Sequence, residues 1–420
     1  MYIEGKVNNA YEFYDILKAK ALEAGYECIS DRTLNATNIT DVYNMDHFRD
    51  STSRSFYKAC MDPNSQPSSN GFGGSSGATL TFNKDVGFDR ITFYSVVSDA
   101  FAFSIYGVNE HNQEYHLADI PNDSYKKLEV KIQSEAKFRK LHFKNLYCTA
   151  HIEIFLKNGS FIYKELVLKK VVGTKELLYI FVLDDDGDRF YLHMSPIKSF
   201  NPSKAPCILA KEHIGAMDSL VKVVLPTGEF GYSLSLQDRR ICGAINTLNP
   251  QVFEPFYIGL LKPYPSLDKA DPFLCFGLGD TKKGLADVSK DGISYPYSKY
   301  KNEFLQCIST PNWTTPPTED NIYSNVNEPF ALPIFVCYFG RYDGSKDLGG
   351  NIKERAERLV YYGYESTEAK MLGEMDGMIA IILGDGIEVG DTLSIDTKNY
   401  KIITAGSDIT NRYCYALIKE

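Results

Sequence analysis

The residues with the most evident capacity for chemistry are four aspartates around one glycine in the run 184–188. Carboxylate oxygens are the ligands that calcium prefers. The candidate calcium ligands are Asp184, Asp186 and Asp188. An EF-hand loop ends in a glutamate at its twelfth position, and no glutamate stands there. The alternative is a hairpin tip between apolar runs at 177–183 and 189–194, because Asp and Gly tolerate turn conformations and keep a tip hydrated. The sequence favours this hairpin.

The sequence gives only weak signals for other catalytic, cofactor or metal sites. Of the seven histidines, His111 and His116 stand close together, at a spacing that is a poor match for a metal site. The sequence has no Gly-x-Ser-x-Gly elbow, Walker loop or dinucleotide fingerprint. We therefore predict no cofactor, no catalytic residues and a protein that is not an enzyme. A glycoside hydrolase needs only two suitably spaced carboxylates, and the 54 acidic residues leave that alternative open.

Net charge and cysteine spacing limit which partners the protein could bind and indicate where it is made. The net charge is −9 without a basic block, which argues against nucleic acid as a partner. No apolar run reaches membrane-spanning length, and the first residues lack the apolar segment of a signal peptide, so we expect no membrane association and synthesis in the cytoplasm. The nine cysteines are widely scattered without a CxxC pair, which predicts reduced thiols and no zinc site.

The aromatic content points to β structure and contact surfaces. The chain has 29 Tyr and 25 Phe but a single Trp, and aromatics favour half-buried pleated surfaces. Residues 278–330 are rich in Gly and Pro and read as long loops, which are often binding surfaces. The aromatic interface candidates in this segment are Tyr295, Tyr297, Tyr300 and Trp313. The alternative is that these rings anchor the loops in the protein's own core.

The elements that would position these residues are mainly strands. One amphipathic helix is predicted at 11–24, with Asn8 or Asn9 as its cap and Gly25 after its end. Short alternating runs from 78 to 156 predict an antiparallel β-sandwich, for which a jelly roll is one version. The run from Phe253 to Leu261 is apolar almost throughout and predicts a central buried strand.

The fold class is therefore mainly β: several antiparallel sandwich or barrel modules with a short N-terminal amphipathic helix. We expect five regions along the chain. They are an N-terminal helix and mixed segment at 1–62, a flexible Gly/Ser loop at 63–77, the sandwich at 78–156, a central β-domain with a loop-rich end at 157–330, and a small C-terminal β-domain at 331–420.

The stretch 230–277, with a companion near the C-terminus, carries a resemblance to a protein family. Its matching residues are Arg239, Arg240, Phe253, Glu254, Tyr257, Gly259, Pro263, Tyr264, Pro265, Pro272 and Gly277. The companion consists of the run 373–377 and the segment from Gly390 to Tyr400. Together they resemble virion proteins of the tail or baseplate region of tailed bacteriophages. Many of those proteins carry a Tyr-Trp pair at the end of the first run, and this chain does not.

This resemblance implies a structural protein of the virion, made in the host cytoplasm and built into a tail, baseplate or fibre-attachment assembly. Its partners would be other virion proteins and copies of itself, and a host surface glycan is a further partner to consider. The hypothesis from a different class is a carbohydrate-binding or carbohydrate-degrading protein, a depolymerase for example, that uses the sandwich at 78–156.

Overall fold

The structure of the chain is a computed structural model. It describes residues 1–39, 48–50, 78–96, 102–121, 123, 125–146, 151–185, 187, 189–197, 199–202, 221–248, 251–262, 273–277, 293–294, 305–308, 330–339, 369–382, 387–395, 397–404 and 413–419. Within these residues it contains 25 strands and one helix, so the predicted mainly β class is confirmed. The single helix in the described part of the chain is too short to cross a membrane.

The elements follow one another along the chain in this order. They are β1 (Tyr2–Val7), α1 (Ala10–Glu23), β2 (Glu27–Asn35), β3 (Phe48–Asp50), β4 (Ala78–Val86), β5 (Phe88–Val96), β6 (Phe103–Val108), β7 (Glu114–Ile120), β8 (Tyr125–Lys131), β9 (Phe138–Lys144), β10 (His151–Leu156), β11 (Ile162–Val172), β12 (Lys175–Asp185), β13 (Phe190–Ile197), β14 (Val221–Leu225), β15 (Phe230–Gln237), β16 (Arg240–Leu248), β17 (Gln251–Leu260), β18 (Phe273–Gly277), β19 (Ile293–Ser294), β20 (Leu305–Ile308), β21 (Phe330–Phe339), β22 (Ala369–Ile382), β23 (Thr392–Ile395), β24 (Lys398–Thr404) and β25 (Tyr413–Ile418).

These strands form five sheets in which the paired strands are antiparallel. Sheet I has the order β1-β15-β16-β17-β18-β19, and sheet II has the order β14-β13-β12-β11-β2. Sheet III is β10-β5-β8, and sheet IV is β3-β4-β9-β6-β7. Sheet V, at the C-terminal end, is β20-β21-β22-β25-β24-β23. The strands predicted between 78 and 156 supply all of sheet III and most of sheet IV.

Sheet II separates two hydrophobic cores, because β12 is buried along almost its whole length. Leu177, Tyr179 and Phe181 point to one core, which they share with α1 and the inner face of sheet I. Leu178 and Ile180 alternate with them and point to the other core, which lies among sheets II, III and IV. A strand covered on both faces needs a continuous apolar run, and β12 supplies one.

The helix α1 forms where the sequence predicts it. Asn9 is the N-cap, and its side-chain oxygen accepts a hydrogen bond of 3.0 Å from the amide of Glu12. Gly25 follows the helix with φ of +80°, a conformation that glycine adopts without strain. Phe13 and Leu17 lie on the buried face of the helix and pack into the core between sheets I and II.

The first two strands of the chain pair with strands from far along the sequence. β1 pairs with β15, with Ile3 opposite Leu234, and β2 pairs with β11. The chain therefore starts in sheet I, crosses by α1 and enters sheet II. The first 35 residues thus tie together two sheets whose other strands come later in the sequence.

Two local predictions are confirmed by strand pairing and burial. The segment 184–188 joins β12 to β13, with Asp184 opposite Tyr191, so the predicted hairpin is present. β17 lies between β16 and β18, and its side chains from Pro255 to Leu260 are buried, as predicted for a central strand. The predicted Gly/Ser loop at 63–77 lies outside the described residues, as do most of 278–330.

Candidate functional site

The two segments that carry the family resemblance meet where sheet I contacts sheet V. Arg240, the first residue of β16, is fully buried there. Tyr257 of β17 is also fully buried beside it. Asp376 and Gly377 of β22 approach these two side chains from sheet V. We call Arg240, Tyr257, Lys262, Glu374, Asp376 and Gly377 the junction cluster.

The Arg240 guanidinium is held on one side by its own sheet. Its Nη1 donates to the Ser235 carbonyl oxygen at 3.1 Å, to the Ser235 hydroxyl at 3.2 Å and to the Cys242 sulfur at 3.1 Å. Its Nε lies 4.0 Å from Oδ2 of the Asp376 carboxylate. Within the described residues, Nε and Nη2 have no hydrogen-bond partner. A buried charge needs an opposite charge nearby, and Asp376 supplies it.

A bulge in β22 brings Asp376 and Gly377 to Arg240. In the pairing with β21, Glu374 stands opposite Phe335 and Ile379 stands opposite Pro333, so β22 carries extra residues between them. Such bulges bend a strand and redirect its side chains. Gly377 in this bulge has φ of +74°, and a Cβ atom at this position would overlap the Arg240 guanidinium. The close approach therefore requires glycine.

Further bonds fasten β22 to the end of β17. The backbone of Lys262 exchanges two hydrogen bonds with that of Glu374, at 2.8 and 2.9 Å. The Lys262 Nζ also lies 3.3 Å from Asp376 Oδ1 and 3.6 Å from Glu374 Oε1. The Tyr257 hydroxyl donates to the Leu260 carbonyl at 2.6 Å and accepts from the Asp376 amide at 3.4 Å.

The electrostatics of the junction cluster keep its groups in fixed protonation states. Burial acts to lower the pKa of Arg240, but the nearby Asp376 carboxylate opposes this effect and the pKa is raised. Burial also raises the pKa of Tyr257 far above its usual range and raises the pKa of Cys242. The arginine is therefore charged, while the phenol and the thiol stay neutral. This arrangement suits a permanent connection between sheets rather than proton transfer or nucleophilic attack.

The calcium candidates are only partly described. Asp184 is a buried residue near the end of β12, and its Oδ2 lies 3.4 Å from Nε2 of the buried His193. Asp186 and Asp188 lie outside the described residues. In the part of the chain that the structure describes, no group of three or more His, Cys, Asp and Glu side chains is arranged to hold a metal ion. The calcium site stays a prediction.

The aromatic interface candidates cannot be placed. Tyr295, Tyr297, Tyr300 and Trp313 lie outside the described residues, so the interface they would form also stays a prediction.

His111 and His116 have different partners in the structure. His111 lies in the turn before β7, with its Nε2 3.5 Å from Glu110 Oε1, and the His116 Nε2 lies 2.8 Å from Asp119 Oδ1.

Buried charges inside sheet II were missed in the sequence. Glu165 of β11 is fully buried, and its Oε1 accepts a hydrogen bond of 2.7 Å from Arg32 of β2. The two residues are direct partners across the strands. The signal was a glutamate inside the apolar run of β11, but its partner lies 133 positions away and no local pattern joins them.

Comparison with known proteins adds little to this geometry. No protein-family model matches the chain, and no curated protein matches it. Among solved structures, the chain is similar to one described as truncated AlyQ with CBM32 and alginate lyase domains, at 10% sequence identity over 94% of this chain and 96% of that one. The TM-score is 0.15, and at this value the likeness carries no argument about fold or function.

Proposed function

We propose that this chain is a non-enzymatic structural component of a tailed-bacteriophage virion, in the tail, the baseplate or the fibre-attachment assembly. It acts through contacts with other virion proteins and with copies of itself. The observation that carries the proposal is the junction cluster, in which both segments of the family resemblance interlock.

The interlocking supports the resemblance for a physical reason. Arg240 and Tyr257 belong to one resembling segment, and Asp376 and Gly377 belong to the other. Arg240, Asp376 and Gly377 depend on one another, because a buried guanidinium needs a carboxylate and its close approach needs a glycine. The Tyr257 hydroxyl accepts a hydrogen bond from the Asp376 amide. Scattered coincidences of sequence would have no reason to converge on one contact. We therefore treat the two segments as parts of one architectural feature.

The chemistry of the junction cluster also supports a structural role. The Tyr257 phenol and the adjacent Cys242 thiol are buried and held neutral by raised pKa values, so they are poor nucleophiles and poor bases. The charged side chains of the junction cluster pair with one another and join sheet I to sheet V. Buried charged networks of this kind favour one arrangement of two elements over others, because a shifted arrangement leaves the charges unpaired.

The test is whether the chain is a stoichiometric part of assembled particles. Phage particles are purified from lysate of the strain that encodes the chain, and their proteins are quantified by mass spectrometry. We expect the chain at a fixed copy number, retained after density-gradient purification and high-salt washing. Hydrogen exchange then compares free and assembled chain, with β17 as an internal reference that is protected in both.

Two results would contradict the proposal. The first is absence of the chain from washed particles that contain other tail proteins. The second is catalytic turnover, measured as new reducing ends released from polysaccharides by the purified chain. A chain that is present in particles and gains protection there, in any segment, is behaving as a structural component.

A further inference from the structure

The outer face of sheet IV carries an ordered group of polar side chains that the junction cluster does not involve. In β6 and β9, Ile105 and Phe143 point into the core, while Tyr106 and His142 point outward. Tyr106 stands opposite His142 on one neighbouring strand and opposite His116 on the other. Adjacent strands are about 4.8 Å apart, so these three rings form one row across the sheet.

Glu114 organises one side of this row. Its Oε2 accepts a hydrogen bond of 2.8 Å from Nζ of Lys144, and its Oε1 lies 3.3 Å from Nδ1 of His142. The Lys144 ammonium also lies 4.1 Å from the centre of the Tyr106 ring. Hydrogen bonds from Lys144 and His142 lower the pKa of Glu114, so the carboxylate remains an ionised acceptor.

Asp119 organises the other side in the same way. Its Oδ1 accepts a hydrogen bond of 2.7 Å from the Ser104 hydroxyl and lies 2.8 Å from Nε2 of His116. The bonds from Ser104 and His116 lower the pKa of Asp119. The His116 ring meets the Tyr106 ring edge to face, with centroids 5.3 Å apart. Tyr106 is thus the centre of two carboxylate-anchored groups.

Folding stability does not explain this order. The carboxylates are solvent-exposed, and exposed ion pairs contribute little to stability. What the arrangement does provide is a set of donors and acceptors fixed in one plane on a rigid sheet. Preorganised groups of this kind bind a ligand without the entropic cost of ordering them at the moment of binding.

We propose that this face binds a neutral glycan. Ionised carboxylates accept hydrogen bonds from sugar hydroxyls, and lysine and histidine nitrogens donate to them. Tyr106 is partly exposed, and its ring holds the Lys144 ammonium at 4.1 Å and packs against His116, so it keeps these donors in place for the ligand. The positive charges of Lys140 and Lys144 balance the negative charges of Glu114 and Asp119, so the face does not select a polyanion. Glycan binding at this face does not depend on the virion role. If the chain is a virion component, this site adds a ligand to that role.

A protein partner fits this face less well. The centres of protein interfaces are depleted in charged residues and enriched in large aromatic ones. Here four charged side chains surround one tyrosine. A glycan is hydrated and polar throughout, and it can bond to such a surface without removing the charges from water.

The probe is an array of neutral and acidic oligosaccharides, followed by calorimetry with the best neutral ligand. The full chain should bind at least one neutral oligosaccharide. Tyr106→Ala and Glu114→Gln should each weaken that binding at least tenfold. Glu114→Gln replaces an exposed residue, so it tests the proposal even where Tyr106→Ala lowers stability. Circular dichroism and thermal melting establish that each variant is folded.

The matched control lies on the opposite face of the sandwich. Tyr94 in β5 of sheet III also has a lysine near its ring, with Lys127 Nζ at 5.4 Å, and a carboxylate partner, with Glu153 Oε2 at 2.8 Å. Tyr94→Ala should bind the oligosaccharide as the unaltered chain does.

Three results would overturn the proposal. They are binding to no neutral oligosaccharide on the array, binding confined to acidic oligosaccharides, and binding that both sheet IV variants retain. The first of these results, combined with loss of particle incorporation in Glu114→Gln, would identify the face as a protein contact. Absence of the chain from particles, by contrast, contradicts the proposed function and leaves glycan binding to be measured separately.

Discussion

Gly377→Ala tests the close approach at the junction cluster. Gly377 has φ of +74°, where an L-residue with a Cβ is strained by about 1–2 kcal/mol. The new methyl group would also overlap the Arg240 guanidinium, which is fully buried and cannot move into solvent. Overpacking in a well-packed interior typically costs about 1–3 kcal/mol more. We therefore expect a loss in the free energy of unfolding of about 2–5 kcal/mol.

Gly390→Ala provides a control that separates the two contributions. Gly390 has φ of +95°, but nothing lies within 4 Å of the position that its Cβ would occupy. This variant should show only the backbone strain, about 1–2 kcal/mol. The measurement is urea denaturation followed by circular dichroism, together with hydrogen exchange in β22 and β25. Gly377→Ala should be the more destabilised of the two, with faster exchange in β22.

A double variant identifies the cause of the difference. Arg240→Leu removes the guanidinium, so Gly377→Ala in that background should cost only the backbone part. The coupling between the two substitutions should be about 1–3 kcal/mol. The reasoning is refuted if Gly377→Ala costs no more than Gly390→Ala, or if the two junction substitutions are additive.

Three other predictions follow from the described residues. Ile258→Asp places an unpaired carboxylate in the core between sheets I and II and should cost several kcal/mol; soluble protein with unchanged melting would contradict the assignment of β17. Asp31→Asn should lower stability by about 1 kcal/mol at pH 7, because hydrogen bonds from Lys18 and Tyr14 outweigh burial and lower the pKa of Asp31. That contribution is present above the ordinary pKa of 3.8 and is lost as the pH falls through the lowered value, so urea midpoints of the variant and the unaltered chain should converge in strong acid. All nine cysteines should react with an alkylating reagent in denaturant without reductant, and mass spectrometry showing fewer would indicate a disulfide.

The junction cluster joins residues that the sequence singles out through a contact that the sequence does not show. Arg240, Tyr257 and the run 373–377 stood out in the sequence as parts of one resemblance, but nothing local showed that they touch. An arginine that opens an alternating strand usually points to solvent. Its burial here depends on a bulge in β22, 119 residues beyond Tyr257. A bulge of this kind depends on pairing with β21, which a local pattern does not contain.

The group on sheet IV was missed for a related reason. In the sequence, the only histidine close to His116 is His111, and that spacing gives no sign of the residues His116 contacts. Its actual partners include Tyr106 on the adjacent strand, and a register shift next to Tyr106 sets which residue it faces. Cross-strand partners are decided by register, and register is decided by how a whole sheet pairs.

The sequence by itself determined the features whose causes are local. Alternation of apolar residues gave the strands, a 3.6-residue period with Asn9 and Gly25 at its ends gave α1, and the aspartate run gave the hairpin between β12 and β13. Only the tertiary structure decided that sheet II divides two cores, that β1 pairs with β15, and that Arg240 is buried. The physical reason is that propensity and capping act within a few residues, whereas burial depends on which distant surface covers a side chain.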